Sequence, residues 1–161
     1  MSSEEALARL AAEEQQLQFT LFNPDTAWQL GCALRQEAER RGLHVTIDIQ
    51  FADQTLFHCA MPGTSPDNAE WIRRKRNVVL RFQRSSYAMG MRLTLRNTTL
   101  EAFYGLSPAD YAPQGGSFPL RIANCGCVGA ISVSGAPQLD DHLLVSEVIA
   151  RFLGINQQNH A

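Results

Sequence analysis

Long apolar runs are missing from this sequence, and so is any targeting signal. No stretch approaches the roughly eighteen consecutive apolar residues that a membrane span needs. The first sixteen residues, MSSEEALARLAAEEQQ, have neither the basic start nor the apolar core of a secretory signal peptide. We therefore expect a cytoplasmic protein that does not interact with membranes.

Cysteine is scarce and poorly spaced for metal or redox chemistry. The four cysteines are Cys32, Cys59, Cys125 and Cys127, and none forms a C-x-x-C pair. The stretch N-C-G-C has the wrong spacing for a zinc knuckle, and no second pair lies nearby. The pattern predicts reduced, buried thiols and no metal site.

Catalytic and nucleic-acid-binding signatures are absent as well. The sequence contains no Ser-His-Asp order, phosphate loop or dinucleotide fingerprint, so it does not decide whether the protein is an enzyme. Its net charge of −2 is a poor platform for neutralising phosphates over a broad surface. We expect no nucleic-acid partner.

What is present is the pattern of one α+β domain. The 161 residues are 45% hydrophobic, and we assign 1–161 to a single domain with an N-terminal helix within 1–16 and a frayed tail at 155–161. Caps, breakers and periodicity predict helices at about 4–16, 24–41, 66–84, 85–95, 98–105 and 140–153, and strands at 17–22, 43–51, 55–61, 117–122 and 127–135. This order implies a roughly five-stranded, mostly antiparallel sheet with helices on both faces.

The most basic stretch, WIRRKRNVVLRFQRSS at 71–86, lies on a predicted helix. At about 100° per residue, most of its arginines fall on one face, which is typical of a solvated surface. Lys75 instead projects from the middle of the apolar face, where an unpaired ammonium is costly. Three interpretations are open: Lys75 extends to the edge of the core, pairs with a buried carboxylate such as Asp48, or meets an anionic ligand in a pocket.

Several segments together resemble a known family. DNAEWIRRKRNVVLRFQRSSYAMG, GGSFPLRI and VGAISVSGAPQLDDH are similar to an uncharacterised branch of the GlcG/HbpS-like, haem-degrading domain family. The resemblance runs from about residue 17 to 154. It implies a single domain with a five-stranded antiparallel sheet, assembly into homo-oligomers, and possible binding of haem.

A haem or another flat, anionic ligand would need apolar walls, cations for its carboxylates and an accessible backbone. The candidates for these roles are Trp71, Phe57 and Phe118 as walls, Lys75 and Arg74 as cations, Ser85 and Ser86 as hydrogen-bond donors, and Gly115 and Gly116 for close approach. His58, His44 and His142 are the histidines considered for iron. Each also has a structural interpretation: a hydrogen-bonded core histidine for His58, a solvated one for His44, and a helix-start position for His142.

The alternative function is a homo-oligomeric adaptor protein without a ligand. The last predicted helix is apolar on most of its circumference, with Leu139, Leu143 and Ile149 on one side and Leu144 and Val148 on the other. A second apolar side predicts a subunit interface in a small domain. On this hypothesis Lys75 forms an internal or intersubunit salt bridge.

Overall fold

The computed structural model describes residues 2–155, which form six helices and five strands. In chain order these are α1 (Ser3–Gln16), β1 (Gln18–Phe19), α2 (Pro24–Arg40), β2 (Thr46–Phe51), β3 (Gln54–Ala60), α3 (Pro66–Phe82), α4 (Ser86–Leu95), α5 (Leu100–Tyr104), β4 (Ser117–Ile122), β5 (Gly126–Ser134) and α6 (Gln138–Leu153). The helix starts follow the capping pattern of the sequence: Asn23 accepts a hydrogen bond from the Thr26 N–H at the start of α2.

The strands form one five-stranded sheet in the order β1-β4-β5-β2-β3. All neighbours are antiparallel except β1, which runs parallel to β4. The predicted α+β class and mostly antiparallel sheet are confirmed.

Helices cover both faces of this sheet. Ile47, Ile131 and Val133 point into the main apolar core, which they share with side chains of α2 and α6. Ser132 and Asp48 point to the opposite face, where α3 packs, and both are buried there. The two faces therefore differ in chemistry, with an apolar core on one side and a row of polar side chains beneath α3 on the other.

The strand predicted at 17–22 is much shorter in the structure. Only Gln18 and Phe19 pair with β4, while Leu21 is exposed and Phe22 packs into the core. The chain leaves the sheet early because Asn23 already caps α2. Ile155 donates its backbone N–H to Ala150, and the rest of the predicted frayed tail lies outside the described residues.

The expectation of buried thiols is wrong. Cys32 and Cys125 are exposed, and Cys59 and Cys127 are half-buried; all four are free. Cys32 lies on the outer side of α2 and Cys125 in the turn between β4 and β5. Within residues 2–155, no helix is long and apolar enough to cross a membrane.

Helix α6 is enclosed on two sides by its own chain. Leu144, Val145, Val148 and Ile149 are all buried, because α6 packs against both α2 and the sheet. Leu139, at the start of the helix, is the exposed exception in the set that predicted an interface. The apolar circumference of α6 is therefore explained within one chain, and assembly into homo-oligomers remains a prediction.

Candidate functional site

Lys75 belongs to α3 and its side chain points inward, with 4% of the residue's surface exposed, as its place on the apolar face predicted. Its Nζ is 3.3 Å from Oδ2 of Asp141 and 3.4 Å from the backbone oxygen of Val133. The carboxylate partner is thus Asp141 in the first turn of α6, and not Asp48. The side chain crosses one end of the sheet to reach a helix that packs mainly on the opposite face.

Asp141 is also enclosed, with 1% of its surface exposed. Its carboxylate accepts hydrogen bonds from the Ala136 N–H at 3.1 Å and the Gly135 N–H at 3.4 Å. Burial raises the pKa of Asp141 to about 6, against the opposing effects of Lys75 and these two donors. Burial likewise lowers the pKa of Lys75, against the attraction of Asp141. Burial therefore disfavours each charged form, and the opposite charge of the partner stabilises it.

This ion pair borders a small cavity of about 250 Å³ between the first turns of α3 and α6. Its walls combine the two charges with polar and small side chains and one aromatic ring: Lys75, Asp141, Asn68, Trp71, Gln114, Ser134, Gly135, Ala136 and Gln138. An internal partner and an opening beside the ammonium therefore coexist. The interpretations of Lys75 as half of a salt bridge and as part of a pocket are not exclusive.

Gly115 and Gly116 are needed for close packing inside the protein. Gly116 has a φ of 136°, and a Cβ there would lie 2.4 Å from the Val133 oxygen and 2.8 Å from Nζ of Lys75. A Cβ on Gly115 would lie 2.3 Å from the backbone oxygen of Gln138. Both glycines let the chain pass against α6 and the ammonium, so their side-chain-free surface faces protein atoms.

Arg74 and Trp71 form a stacked pair at the rim. The Arg74 guanidinium lies 4.0 Å from the centre of the Trp71 ring, and its Nη1 donates to the Pro108 oxygen at 3.4 Å. Trp71 is a wall of the small cavity, and Arg74 is not. The structure thus brings Lys75 and Trp71 together in the cavity, with Arg74 stacked on the Trp71 ring.

Ser85 and Ser86 lie elsewhere, at the start of α4. The carboxylate of Glu14 in α1 accepts hydrogen bonds from the Ser85 N–H at 2.8 Å and the Ser85 hydroxyl at 2.9 Å. The Ser86 hydroxyl accepts from the Ser117 N–H at 3.1 Å and donates to the Ser117 oxygen at 3.3 Å. These buried hydroxyls tie α1 and β4 to α4, and neither serine is a wall of the small cavity.

Phe118 and His142 lie on the core side of the sheet. Phe118 is buried, with its ring centre 6.1 Å from that of His142. His142 is buried as well, and its ring stacks on that of Tyr87 with 4.8 Å between the ring centres. The sequence predicted its position at the start of a helix but not this packing. Phe118 is enclosed by protein and does not reach the cavity beside Lys75.

His58 belongs to a separate polar group on the outer strand. Its Nδ1 lies 2.9 Å from one oxygen of Asp48, whose other oxygen is 3.3 Å from Arg76. The His58 side chain is 45% exposed, so it is hydrogen-bonded as expected but is not a core residue. His44 is exposed, as predicted. Within residues 2–155, no three His, Cys, Asp or Glu side chains are grouped so that they could hold a metal ion.

A second and larger cavity was not predicted from the sequence. It has a volume of about 630 Å³ and lies among α4, α5 and the loop that follows α5. Its walls include apolar and aromatic residues from these elements: Tyr87, Met91, Leu93, Leu95, Leu100, Leu106, Tyr111 and Pro113. Gln114 and Gln138 line both cavities.

Comparison with known proteins identifies the family. A family model described as haem degrading protein HbpS-like matches residues 22–150. The chain belongs to the HbpS-like family. A UPF0303 protein of Edwardsiella ictaluri is 97% identical over 157 residues, covering 98% of this chain and 100% of that protein. The expected resemblance to the haem-degrading family is confirmed.

Solved structures agree with this assignment. The crystal structure of Ybr137w protein has a TM-score of 0.87 and 27% identity, covering 92% of this chain and 87% of that one. The crystal structure of HbpS has a TM-score of 0.65 and 25% identity, covering 85% and 93%. The HbpS-like fold described above is therefore found across relatives of low sequence identity.

Proposed function

We propose that this HbpS-like protein binds a small molecule through an anionic group at Lys75, and that the ligand is a haem or a related tetrapyrrole. The observation that carries the proposal is a buried ammonium on the wall of a cavity. An ammonium has three donors. Among the described residues, Asp141 and the Val133 oxygen account for two of them, and the third is available to a ligand in the cavity.

The cavity suits the anionic end of a ligand. Lys75 supplies the charge, Trp71 a flat apolar wall, and Asn68 and Ser134 neutral hydrogen-bonding groups. Arg74, stacked on Trp71, supplies a second cation near the cavity. Among the site residues predicted from the sequence, Lys75, Arg74 and Trp71 are those that we keep for this role.

Haem is supported by the description of the family and fits this site only in part. A carboxylate of the ligand fits beside Lys75. The macrocycle does not fit within about 250 Å³, because pockets for drug-sized ligands measure about 300–1,000 Å³. Among the described residues, the walls of this cavity also include no His, Cys, Met or Tyr, the residue types that hold haem iron. The cavity would therefore recognise a carboxylate, and the apolar body of the ligand would lie outside it.

The test is a haemin titration followed by the Soret absorption band. The informative variant is Lys75→Met/Asp141→Asn, which removes one charge of each sign and leaves the net charge unchanged. Its matched control is Arg35→Gln/Glu39→Gln, which removes an exposed ion pair on α2. We expect saturable binding at one haemin per chain, tenfold or more weaker in the Lys75/Asp141 variant and unchanged in the control.

Two results would contradict the proposal. If the unmodified protein shows no saturable Soret shift, it does not bind a tetrapyrrole. If both double variants bind haemin as the unmodified protein does, the ligand does not use Lys75. In either case circular dichroism must show that the variants are folded.

A second candidate is the homo-oligomeric adaptor without a ligand. Two observations favour it: Lys75 has an internal carboxylate partner, and Trp28 on α2 is 64% exposed beside the outer strand β3, with its ring 5.7 Å from that of Phe57. The haemin titration separates the two candidates, because the adaptor predicts no saturable Soret shift. Sedimentation then tests the adaptor, which predicts an oligomer that is dissociated by Trp28→Ser.

A further inference from the structure

We infer that the ligand spans both cavities, with its anionic end at Lys75 and its apolar body between α4 and α5. This inference rests on the proposed function and adds the class of ligand: an amphipathic anion with a large, flat or elongated apolar body. The apolar part of the ligand would occupy the large cavity.

The two cavities are neighbours with a common wall. Gln114, in the loop before β4, and Gln138, in the first turn of α6, line both. Both residues are exposed, and the Gln138 side chain accepts a hydrogen bond from the Gly115 N–H at 3.0 Å. Two glutamine residues at the surface are thus walls common to both cavities, and one of them is hydrogen-bonded to the loop before β4.

The backbone around this boundary is tightly held. A Cβ on Gly90 of α4 would lie 2.2 Å from the Pro113 oxygen, and a Cβ on Gly115 would lie 2.3 Å from the Gln138 oxygen. The loop between these contacts is therefore pressed against both α4 and α6. The relative position of the two cavities is therefore fixed by packed backbone.

The chemistry of the two cavities is complementary. The walls of the large cavity are mainly leucine, tyrosine, methionine and proline residues, and Glu101 is the one charged wall among residues 2–155. The small cavity contains the buried Lys75 and Asp141. A purely apolar ligand would leave Lys75 unused, and a small anion would leave the large cavity empty. A ligand with both parts uses each cavity for the chemistry that it offers.

The larger volume also removes the difficulty that haemin poses for the small cavity. About 630 Å³ lies within the range of pockets that hold drug-sized ligands, whereas about 250 Å³ lies below it. The two together provide an apolar seat and an anion-binding end. Tyr87 and Met91 are residue types that can hold haem iron, and both are walls of the large cavity.

The experiment fills the large cavity from its rim. Leu95→Trp is suitable because Leu95 lines this cavity and is 41% exposed, so a larger side chain there does not overpack the core. Leu80→Trp is the matched control, because Leu80 is 42% exposed on α3 and lines neither cavity. Thr94→Trp, on the same wall as Leu95, is the second blocking variant if the first fails to fold.

Two probes are titrated into each protein: haemin, and 1-anilinonaphthalene-8-sulfonate, an aromatic anion followed by its fluorescence. We expect Leu95→Trp and Lys75→Met/Asp141→Asn each to weaken both probes at least tenfold, with less than a twofold change in Leu80→Trp. Each variant is first shown to be folded by circular dichroism.

The outcomes distinguish the inference from the proposed function. If haemin binding depends on Lys75 and is unaffected by Leu95→Trp and Thr94→Trp, the spanning site is wrong while the proposed function stands. If the sulfonate probe responds to both sites and haemin does not bind, the spanning site stands and the tetrapyrrole is wrong. If neither probe responds to the blocking variants, the large cavity is not a ligand site.

Discussion

Replacing Lys75 by methionine would remove the cation that accompanies a buried carboxylate. Asp141, with 1% of its surface exposed, would keep only the two backbone donors of Gly135 and Ala136. The methionine side chain fills most of the space of the lysine stem, so packing is largely preserved. The expected effect is therefore electrostatic.

The structure sets an upper limit to the loss in free energy of unfolding. An unpaired buried charge costs about 3–5 kcal/mol. Asp141 can avoid this cost by taking up a proton, which at pH 7.5 means about 1.5 pH units above its pKa of about 6 in the unmodified protein. At about 1.36 kcal/mol per unit, the upper limit of the loss is about 2 kcal/mol. A domain with the usual stability of about 5–15 kcal/mol remains folded after this loss.

The pH dependence identifies the cause. In Lys75→Met the pKa of Asp141 is raised beyond its value of about 6 in the unmodified protein. The folded state then holds a proton that the unfolded state releases, so stability falls as pH rises from 3.8 towards the raised pKa. At pH 5, below the pKa of about 6 in the unmodified protein, Asp141 is mostly protonated in both proteins, so the upper limit is close to zero. The penalty should therefore be large at pH 7.5 and small at pH 5.

Urea unfolding followed by circular dichroism at both pH values measures the penalty. The control is Lys75→Met/Asp141→Asn, which has no charge left to bury and should lose less stability than the single variant at pH 7.5. A single variant that loses less than about 1 kcal/mol, equally at both pH values, would refute the reasoning, since a charge buried as described cannot be left unpaired without cost.

Three further predictions concern Asp141, Glu37 and Gly116. Binding of the sulfonate probe should tighten from pH 7.5 to 5, because protonating Asp141 at a pKa of about 6 removes the carboxylate that competes for Lys75; a fluorescence titration checks this. Hydrogen bonds from Arg40 and neighbouring arginines hold the pKa of Glu37 far below its usual value of 4.5, so its stabilisation is complete above that pH and lost as pH falls. Glu37→Gln should lower the urea midpoint at pH 7 and flatten its fall between pH 5 and 3. Gly116→Ala should destabilise the fold by about 1–3 kcal/mol in thermal unfolding, because its φ is 136° and a Cβ meets a backbone oxygen at 2.4 Å.

The burial of Lys75 could be predicted from the sequence, and its partner could not. Helical periodicity alone places Lys75 among the apolar residues of α3, because the angle between side chains depends only on their separation along the helix. Asp141 lies 66 residues further along and belongs to a different helix. The contact forms because the first turn of α6 passes the end of the sheet, which no local pattern encodes.

Asp48 shows how a correct strand pattern can lead to a wrong contact. The alternation in β2 correctly separates Ile47 and Ile49 from Asp48, but the polar side is covered by α3 and is not open to solvent. Asp48 is opposite His58 in the antiparallel register and within reach of Arg76, so both of its oxygens are engaged there. Strand pairing determines these neighbours, and pairing is a long-range property.

The buried ion pair itself argues for a role in recognition. Replacing such a pair by apolar residues of similar size is often neutral or stabilising, so the folding stability of the domain does not explain why Lys75 and Asp141 are charged. Their position does offer an explanation, because the pair forms part of the wall of a cavity that adjoins a larger apolar one. An ammonium held in place by one carboxylate is already desolvated and oriented before a ligand arrives, which lowers the cost of binding an anion there. Without a ligand, the same ion pair would only reduce the stability of the fold.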